Sequence, residues 1–264
     1  ETALTGPMGQ IGGNINSVVL AIAGARRIFD FLEVEPEDYS GEVEKVVKVV
    51  DGEEKYYWHD LKTDEYRELL GDIRFKDVDF SYDGKNKILK NINLYAKPGQ
   101  KVAFVGATGA GKTTITNLIN RFYEIDSGEI TFDGIDIRRI RKDHLRSSLG
   151  MVLQDTHLFT GTIAENINYS VEDVDMNKTL AVAKRTKAHD FIKNLKDGYD
   201  TMISGSGGEL SEGQMQLLSI ARAEIYNPPV MILDEATSSI DSRTEKIVQE
   251  GMDQIMKGLS LIHI

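Results

Sequence analysis

The chain has no cysteine, so disulfides and thiolate metal sites are excluded. Its five histidines are scattered at no metal-ligand spacing. No apolar run approaches the roughly 18 residues needed to cross a bilayer. Nothing resembles a signal peptide, and the first residue is Glu1 rather than Met. There is no internal repeat and no low-complexity tract. Positive charge is short: 31 Lys and Arg against 42 Asp and Glu leave a net charge of −11. That balance argues against nucleic acid as a partner and by itself names no other. What is present is enough for a core. At 264 residues and 41% hydrophobic, the chain allows one large domain or one domain plus an appendage.

One stretch organises the rest. Gly106-Ala107-Thr108-Gly109-Ala110-Gly111-Lys112-Thr113-Thr114 fits the phosphate-binding pattern G-x-x-x-x-G-K-[ST]. The apolar run Val102-Ala103-Phe104-Val105 before it reads as a buried strand, and Ile115, Leu118, Ile119 and Phe122 follow at helical spacing. Glycines let backbone N–H groups turn inward as an anion nest. A helix starting near Gly111 adds the positive end of its dipole. In such a loop Lys112 reaches the β- and γ-phosphates and the Thr113 hydroxyl holds Mg²⁺. A glycine turn before an ordinary helix is the plainer reading of the same letters.

In chain order, residues 1–33 read as one helix. Met8, Ile11, Ile15, Val18, Ile22, Ala25, Phe29 and Leu32 form a heptad seam. Such a seam must bury against something, and no second helix of that length follows. Residues 34–70 read as a solvated linker, with a possible hairpin around Asp51-Gly52. A compact domain is predicted from Gly71. Ile73 to Tyr82 alternates as a strand with a slip near Asp77 that suggests a bulge. Ile92, Leu94 and Ala96 form a second strand, Asp133-Gly134 marks a hairpin, and Leu149 to Leu153 is another strand. Residues 160–208 read as helical, with one helix over Thr179 to Leu195. Ser211 opens a further helix, Val230 to Leu233 is a buried strand, and Ser242-x-x-Glu245 caps the last long helix.

Two further motifs carry chemistry. Asp234 and Glu235 close an apolar strand, and in a parallel sheet ligands gather at the strands' carboxyl ends. One carboxylate can hold Mg²⁺ and the other can deprotonate or orient a water. Alone, such a pair is a helix cap or a solvated turn. Leu210-Ser211-Glu212-Gly213-Gln214 is a capping box, but the box leaves Gly213 unexplained, because glycine inside a helix costs about 1 kcal/mol. A capped helix start with exposed amides is a second phosphate site. One nucleotide does not need two such sites on one domain, whereas two copies facing each other use both.

Phosphate loop, isolated Gln154, Leu210 to Gln214, then a strand ending in Asp234-Glu235 resembles the nucleotide-binding domain of an ATP-binding cassette (ABC) transporter across about residues 71–258. Residues 1–33 resemble the cytoplasmic end of an exporter's last transmembrane helix, and Gly161 to Ile167 is similar to exporter sequences. The resemblance implies an α/β fold: a RecA-like parallel core, a flanking antiparallel sheet and a helical subdomain at about 155–212. It implies an ATPase with ATP and Mg²⁺ as ligands. The phosphates fall to Gly106, Thr108, Gly109, Ala110, Gly111, Lys112, Thr113 and Thr114, and Tyr82 matches the aromatic that stacks on adenine. Glu235 matches the catalytic base, with Gln154 and Lys112 beside it. Thr113, Gln154 and Asp234 match the Mg²⁺ site, and Asp241 a residue of the dimer seam. Leu210, Ser211, Glu212, Gly213 and Gln214 match the signature that grips the nucleotide of a second domain. The implied partners are that second domain and a transmembrane domain of the same polypeptide, at the cytoplasmic face of a membrane.

The sequence departs from the family at Met215, where many members carry Arg, and at its end. His263 follows Gly258 too closely, with no apolar strand before it, to be assigned as the family's switch histidine. Leu259 to Ile264 also translates an adapter used in sequencing libraries, so 259–264 read as a non-native tail. Two alternatives stay open: a soluble ABC ATPase of DNA repair or translation, and a cassette that binds ATP without hydrolysing it.

Overall fold

The computed structural model describes residues 2–107, 109–153, 156–169, 174–204, 210–234, 242–255 and 260–263. Residues 1–38 and 39–264 form two separate units. The first is the predicted helix, α1 (Thr2–Leu32), roughly 46 Å long at 1.5 Å per residue. The seam residues Ile15, Val18, Ile22, Phe29 and Leu32 are exposed. Among the described residues no helix is long and apolar enough to cross a membrane.

The second unit opens with β1 (Val43–Val50), β2 (Glu53–Asp60) and β3 (Glu65–Glu68), an antiparallel sheet in that order. The hairpin at Asp51-Gly52 forms as expected, both residues lying at positive φ, 54° and 83°. The solvated linker predicted for 34–70 is not what most of this stretch becomes. Val43 and Trp58 are fully buried and share a core with Leu69, Phe75 and Phe132. The reason is one large side chain: Trp58 packs edge-on against Phe132 at 5.4 Å and donates its indole N–H to Asp133 Oδ2 at 2.9 Å. Low apolar content hid a sheet that borrows its core from its neighbour.

That neighbour is a second antiparallel sheet of order β5-β4-β7-β8. It is built from β4 (Ile73–Ser81), β5 (Lys87–Ala96), β7 (Ser127–Phe132) and β8 (Ile135–Asp136). The bulge expected near Asp77 is present: the β4 register shifts between Phe75 and Val78, and Asp77 sits at φ 50°. The Asp133-Gly134 hairpin joins β7 to β8.

The third sheet is parallel, in the order β6-β13-β12-β9, from β6 (Lys101–Ala103), β9 (Leu149–Val152), β12 (Val230–Leu233) and β13 (Ser260–His263). Two readings are corrected here. The strand before the phosphate loop is shorter and less buried than its apolar run suggests: it ends at Ala103, and Val105 is 95% exposed. β6 lies at the sheet's edge, so it lacks the two covered sides that a central strand has. And a strand does lead to His263, made of residues 260–263 themselves. Ile262 is fully buried between Val102 and Ile232, which shows how little apolar sequence a central parallel strand needs.

Helices α2 (Lys112–Ile119) and α3 (Lys142–Arg146) belong to this sheet side. A helical half follows: α4 (Ile163–Ile167), α5 (Met176–Arg185), α6 (His189–Ile192), α7 (Glu212–Glu224) and α8 (Ser242–Ile255). A two-stranded ribbon, β10 (Gly161–Thr162) with β11 (Met202–Ile203), lies among them. The single helix expected over Thr179 to Leu195 is two helices, because Lys187 takes the left-handed conformation at φ 65° and ends the first. Leu217, Leu218, Ala221, Val248 and Met252 pack this half onto Val152, Met231 and Leu233.

Candidate nucleotide site

The register of the parallel sheet sets the site. Leu233 pairs with Val152 on one side and His263 on the other, and His263 pairs with Ala103. All four strands therefore finish at one level, on the edge where α/β sheets bind ligands. From that edge β6 runs into the glycine loop, β12 into Asp234, and β9 towards Gln154. Motifs far apart in sequence thus leave one side of one sheet. Thr108, Gln154, Glu235 and Asp241 themselves lie outside the described residues.

The loop has a conformation only glycine takes readily. Gly109 and Gly111 lie at φ 82° and 89°. At Gly111 a Cβ would also stand 2.7 Å from Leu89 Cδ2. The α2 helix begins directly after Gly111 with no side-chain cap, whereas α4, α5 and α7 each carry one. Its first amides are left to an outside acceptor. Lys112 folds back and donates from Nζ to the carbonyls of Gly106 at 2.7 Å and Ala107 at 3.3 Å. An ammonium has three protons, so one remains to give. Thr113 is exposed, while Thr114 is buried.

Tyr82 leaves the end of β4 and is 51% exposed. Its hydroxyl is 3.1 Å from Thr114 Oγ1, and its ring meets Tyr123 edge-on at 4.9 Å. An aromatic wall therefore stands beside the first turn of α2. Tyr123 has no motif to announce it in the sequence.

At α7 the capping box is complete. Gln214 N donates to Ser211 Oγ at 3.3 Å, and Ser211 N donates to Gln214 Oε1 at 3.0 Å. Met215 N donates to Ser211 O. Among the described hydrogen bonds the amides of Glu212 and Gly213 have no acceptor, and the Ser211 hydroxyl still has its own proton to donate. Leu210 packs against the helical core, and Gly213 is buried.

The donors suit a nucleotide's phosphates: uncapped amides, an ammonium and an exposed hydroxyl. They also suit a hard cation bound mainly through phosphate oxygens, since Thr113 and Asp234 offer oxygen ligands. Among the described residues no three acidic or histidine side chains could hold a metal by themselves.

The ABC transporter family profile matches residues 89–238, more than half of the chain. The chain belongs to the ABC transporter family. Over 98% of its length it is 42% identical to an uncharacterised ABC transporter ATP-binding protein of Bacillus subtilis, of which it covers 40%. Over 95% it is 41% identical to a fatty acid ABC transporter ATP-binding/permease protein of Mycobacterium tuberculosis, covering 36% of it. Over 94% it is 40% identical to an ATP-dependent lipid A-core flippase of Syntrophus aciditrophicus, covering 38% of it. A bacterial Atm1-family ABC exporter solved with ATP bound matches 100% of this chain with a TM-score of 0.74 and 31% identity, the chain covering 43% of it. The chain thus spans about two-fifths of the length of these ABC relatives and carries the family's ATP-binding domain.

The sequence pointed to no role for Gln216. It follows the signature on α7, is buried, and accepts a hydrogen bond from the Thr156 hydroxyl at 2.6 Å. A polar residue at a core position of an apolar helix face was the available signal.

Proposed function

We propose that this domain powers export by closing head to tail with a second such domain around two molecules of MgATP, at the cytoplasmic face of a membrane. A transmembrane domain of the same polypeptide carries the cargo. One observation supports this reading most. Among the described residues α2 and α7 both start with amides that no described side chain occupies, and one nucleotide on one domain has use for only the first.

MgATP supplies the transferable γ-phosphoryl group and a cation that spreads its developing charge. Lys112 and the loop amides, among them those of Gly106, Thr108, Gly109, Ala110 and Gly111, hold the phosphate tail. Thr113, Asp234 and Gln154 are the oxygen donors for Mg²⁺, and Thr114 supports the first turn of α2. Tyr82 offers its ring to the base. Glu235 takes the proton of the attacking water, with Gln154 placing that water. Across the interface, the Ser211 hydroxyl and the Glu212 and Gly213 amides roof the γ-phosphate, and Asp241 lines the seam. The closed pair exists only while nucleotide bridges both copies, so binding selects one arrangement and hydrolysis releases it.

The test is Glu235→Gln. Hydrolysis should fall by at least a hundredfold, and light scattering should show a dimer that depends on MgATP. Turnover at the parent rate removes Glu235 as the base.

A further inference from the structure

The segment that follows β9 is strapped along α7. Arg222 Nη1 donates to His157 O at 2.9 Å. Its Nε and Nη2 donate to Asn166 O and Oδ1 at 2.9 and 3.0 Å. Asn166 Oδ1 in turn accepts from Phe159 N at 2.9 Å. The Arg222 guanidinium also lies over the Phe159 ring, 5.1 Å from its centre. Every end of this tie is satisfied, and burial pushes the arginine's pKa down against the opposing pull of Tyr169.

The second tie differs. Gln216 is 4% exposed, and its Oε1 accepts from Thr156 Oγ1 at 2.6 Å, but its Nε2 is buried with no hydrogen-bond partner among the described residues. Turning the carboxamide over only moves the deficit to the oxygen. A buried amide left half-satisfied destabilises the fold, and the fold can remove that cost by giving the group a partner in another arrangement. Thr156 stands two residues after Gln154, and Gln216 two residues after the capping Gln214. The tie therefore joins the two chain segments that the proposed cycle asks to respond to nucleotide.

We infer that Gln216 is a positioning residue. Together with Thr156 it forms a latch that couples the segment leaving β9 to the first turns of α7. Arg222 is the fixed anchor, and Gln216 is the tie that changes partner between states. This rests on the ATPase reading above, but the latch can be measured without nucleotide.

The experiment compares Gln216→Leu, Thr156→Val, their double variant and Thr156→Ser in the 264-residue chain. Without nucleotide, hydrogen exchange at the amides of 157–160 and 211–216 should quicken about tenfold in the two single variants. With MgATP, kcat should fall about tenfold while KM stays within twofold. The double variant should be no worse than either single, and Thr156→Ser should behave as the parent. A purely structural role would not give that separation of kcat from KM together with rescue by serine. Parent-like exchange and turnover in both single variants would overturn the latch, as would losses that multiply in the double. Should the parent neither bind nor hydrolyse ATP, the ATPase reading fails and exchange alone decides: unchanged protection sinks the latch, and loosened protection at both segments upholds it.

Discussion

The two halves of the compact unit are held in different ways. In the helical half most signals are local, the ties of Arg222 and Gln216 aside. Thr162 with Glu165, Asp175, and Ser211 with Gln214 each cap the helix they precede, and apolar residues at helical spacing make the core. In the β-rich half, buried or half-buried polar side chains stitch together segments far apart in sequence. Asp133 Oδ1 accepts from the amides of Gly71 and Asp72, and its Oδ2 accepts from Leu70 N and the Trp58 indole. Arg121 donates to the carbonyls of Ile137, Arg138 and Ile140, and Arg146 to those of Asn120 and Arg121. A helix can satisfy its own backbone and needs only ends and a stripe. Separate sheets leave edges that side chains can finish.

The sharpest way to break this contrast is Asp133→Asn. The substitution keeps the shape but turns one acceptor oxygen into a donor facing two donors. Burial pushes the Asp133 carboxyl up, with the four donors working against it. We expect a loss of about 3 kcal/mol, or roughly 6–12 °C in Tm for a unit of this size, with Trp58 fluorescence reporting the opening. A loss under 1 kcal/mol would mean that apolar packing holds this half as it does the other.

The same contrast explains what the sequence could say. The capping box at Ser211, the hairpins at Asp51-Gly52 and Asp133-Gly134, the bulge near Asp77 and the phosphate loop were legible, because each is a local pattern with a local cause. The sheet over residues 43–68 was not, because its core lies in Phe75 and Phe132, outside its own stretch. Nor was β13, because four residues between β6 and β12 carry no periodicity to read. The break at Lys187 needed a backbone conformation that lysine does not advertise. Of the candidate site, motif letters gave the parts, and only the strand register put them on one edge.

A smaller effect tests the helical side. Ser211→Ala removes one cap and should cost about 1 kcal/mol, where the loss of Asp133's acceptor costs several times that. If Ser211 also donates to a phosphate across the interface, ATP turnover should drop tenfold or more as well, a loss larger than the change in stability explains. Ser211→Thr, which keeps both the cap and the hydroxyl proton, should restore both. A variant less stable yet equal to the parent in turnover would leave Ser211 a cap alone and take away the chief support for a shared nucleotide.

A pH-dependent effect of similar size concerns how the small sheet is fixed to α3. Lys45 Nζ donates to Ser147 O at 2.8 Å and lies over the Tyr56 ring, 5.3 Å from its centre. Lys45 N donates to His144 Nδ1 at 2.6 Å, which requires that nitrogen to be unprotonated. Burial pushes the Lys45 ammonium down to about 8 and the His144 imidazole below its ordinary range. Both groups are bases whose folded form sheds its proton sooner than the unfolded chain does. Between the folded and unfolded values the unfolded chain binds more protons, so stability rises with pH. For Lys45 that window runs from about 8 up to the ordinary lysine value, and for His144 it lies below the ordinary histidine value. Solvent screening of a half-buried ammonium limits the Lys45 contribution to about 1–2 kcal/mol. The measurement is chemical denaturation from pH 7 to 10 in the parent and in Lys45→Met, taken as a difference so that other titrating groups cancel. The parent should gain stability relative to the variant as pH rises through the window. A difference that stays flat, or that falls with pH, would show that Lys45 is not held in a site that disfavours its charge, and that this junction is fastened by the His144 contact instead.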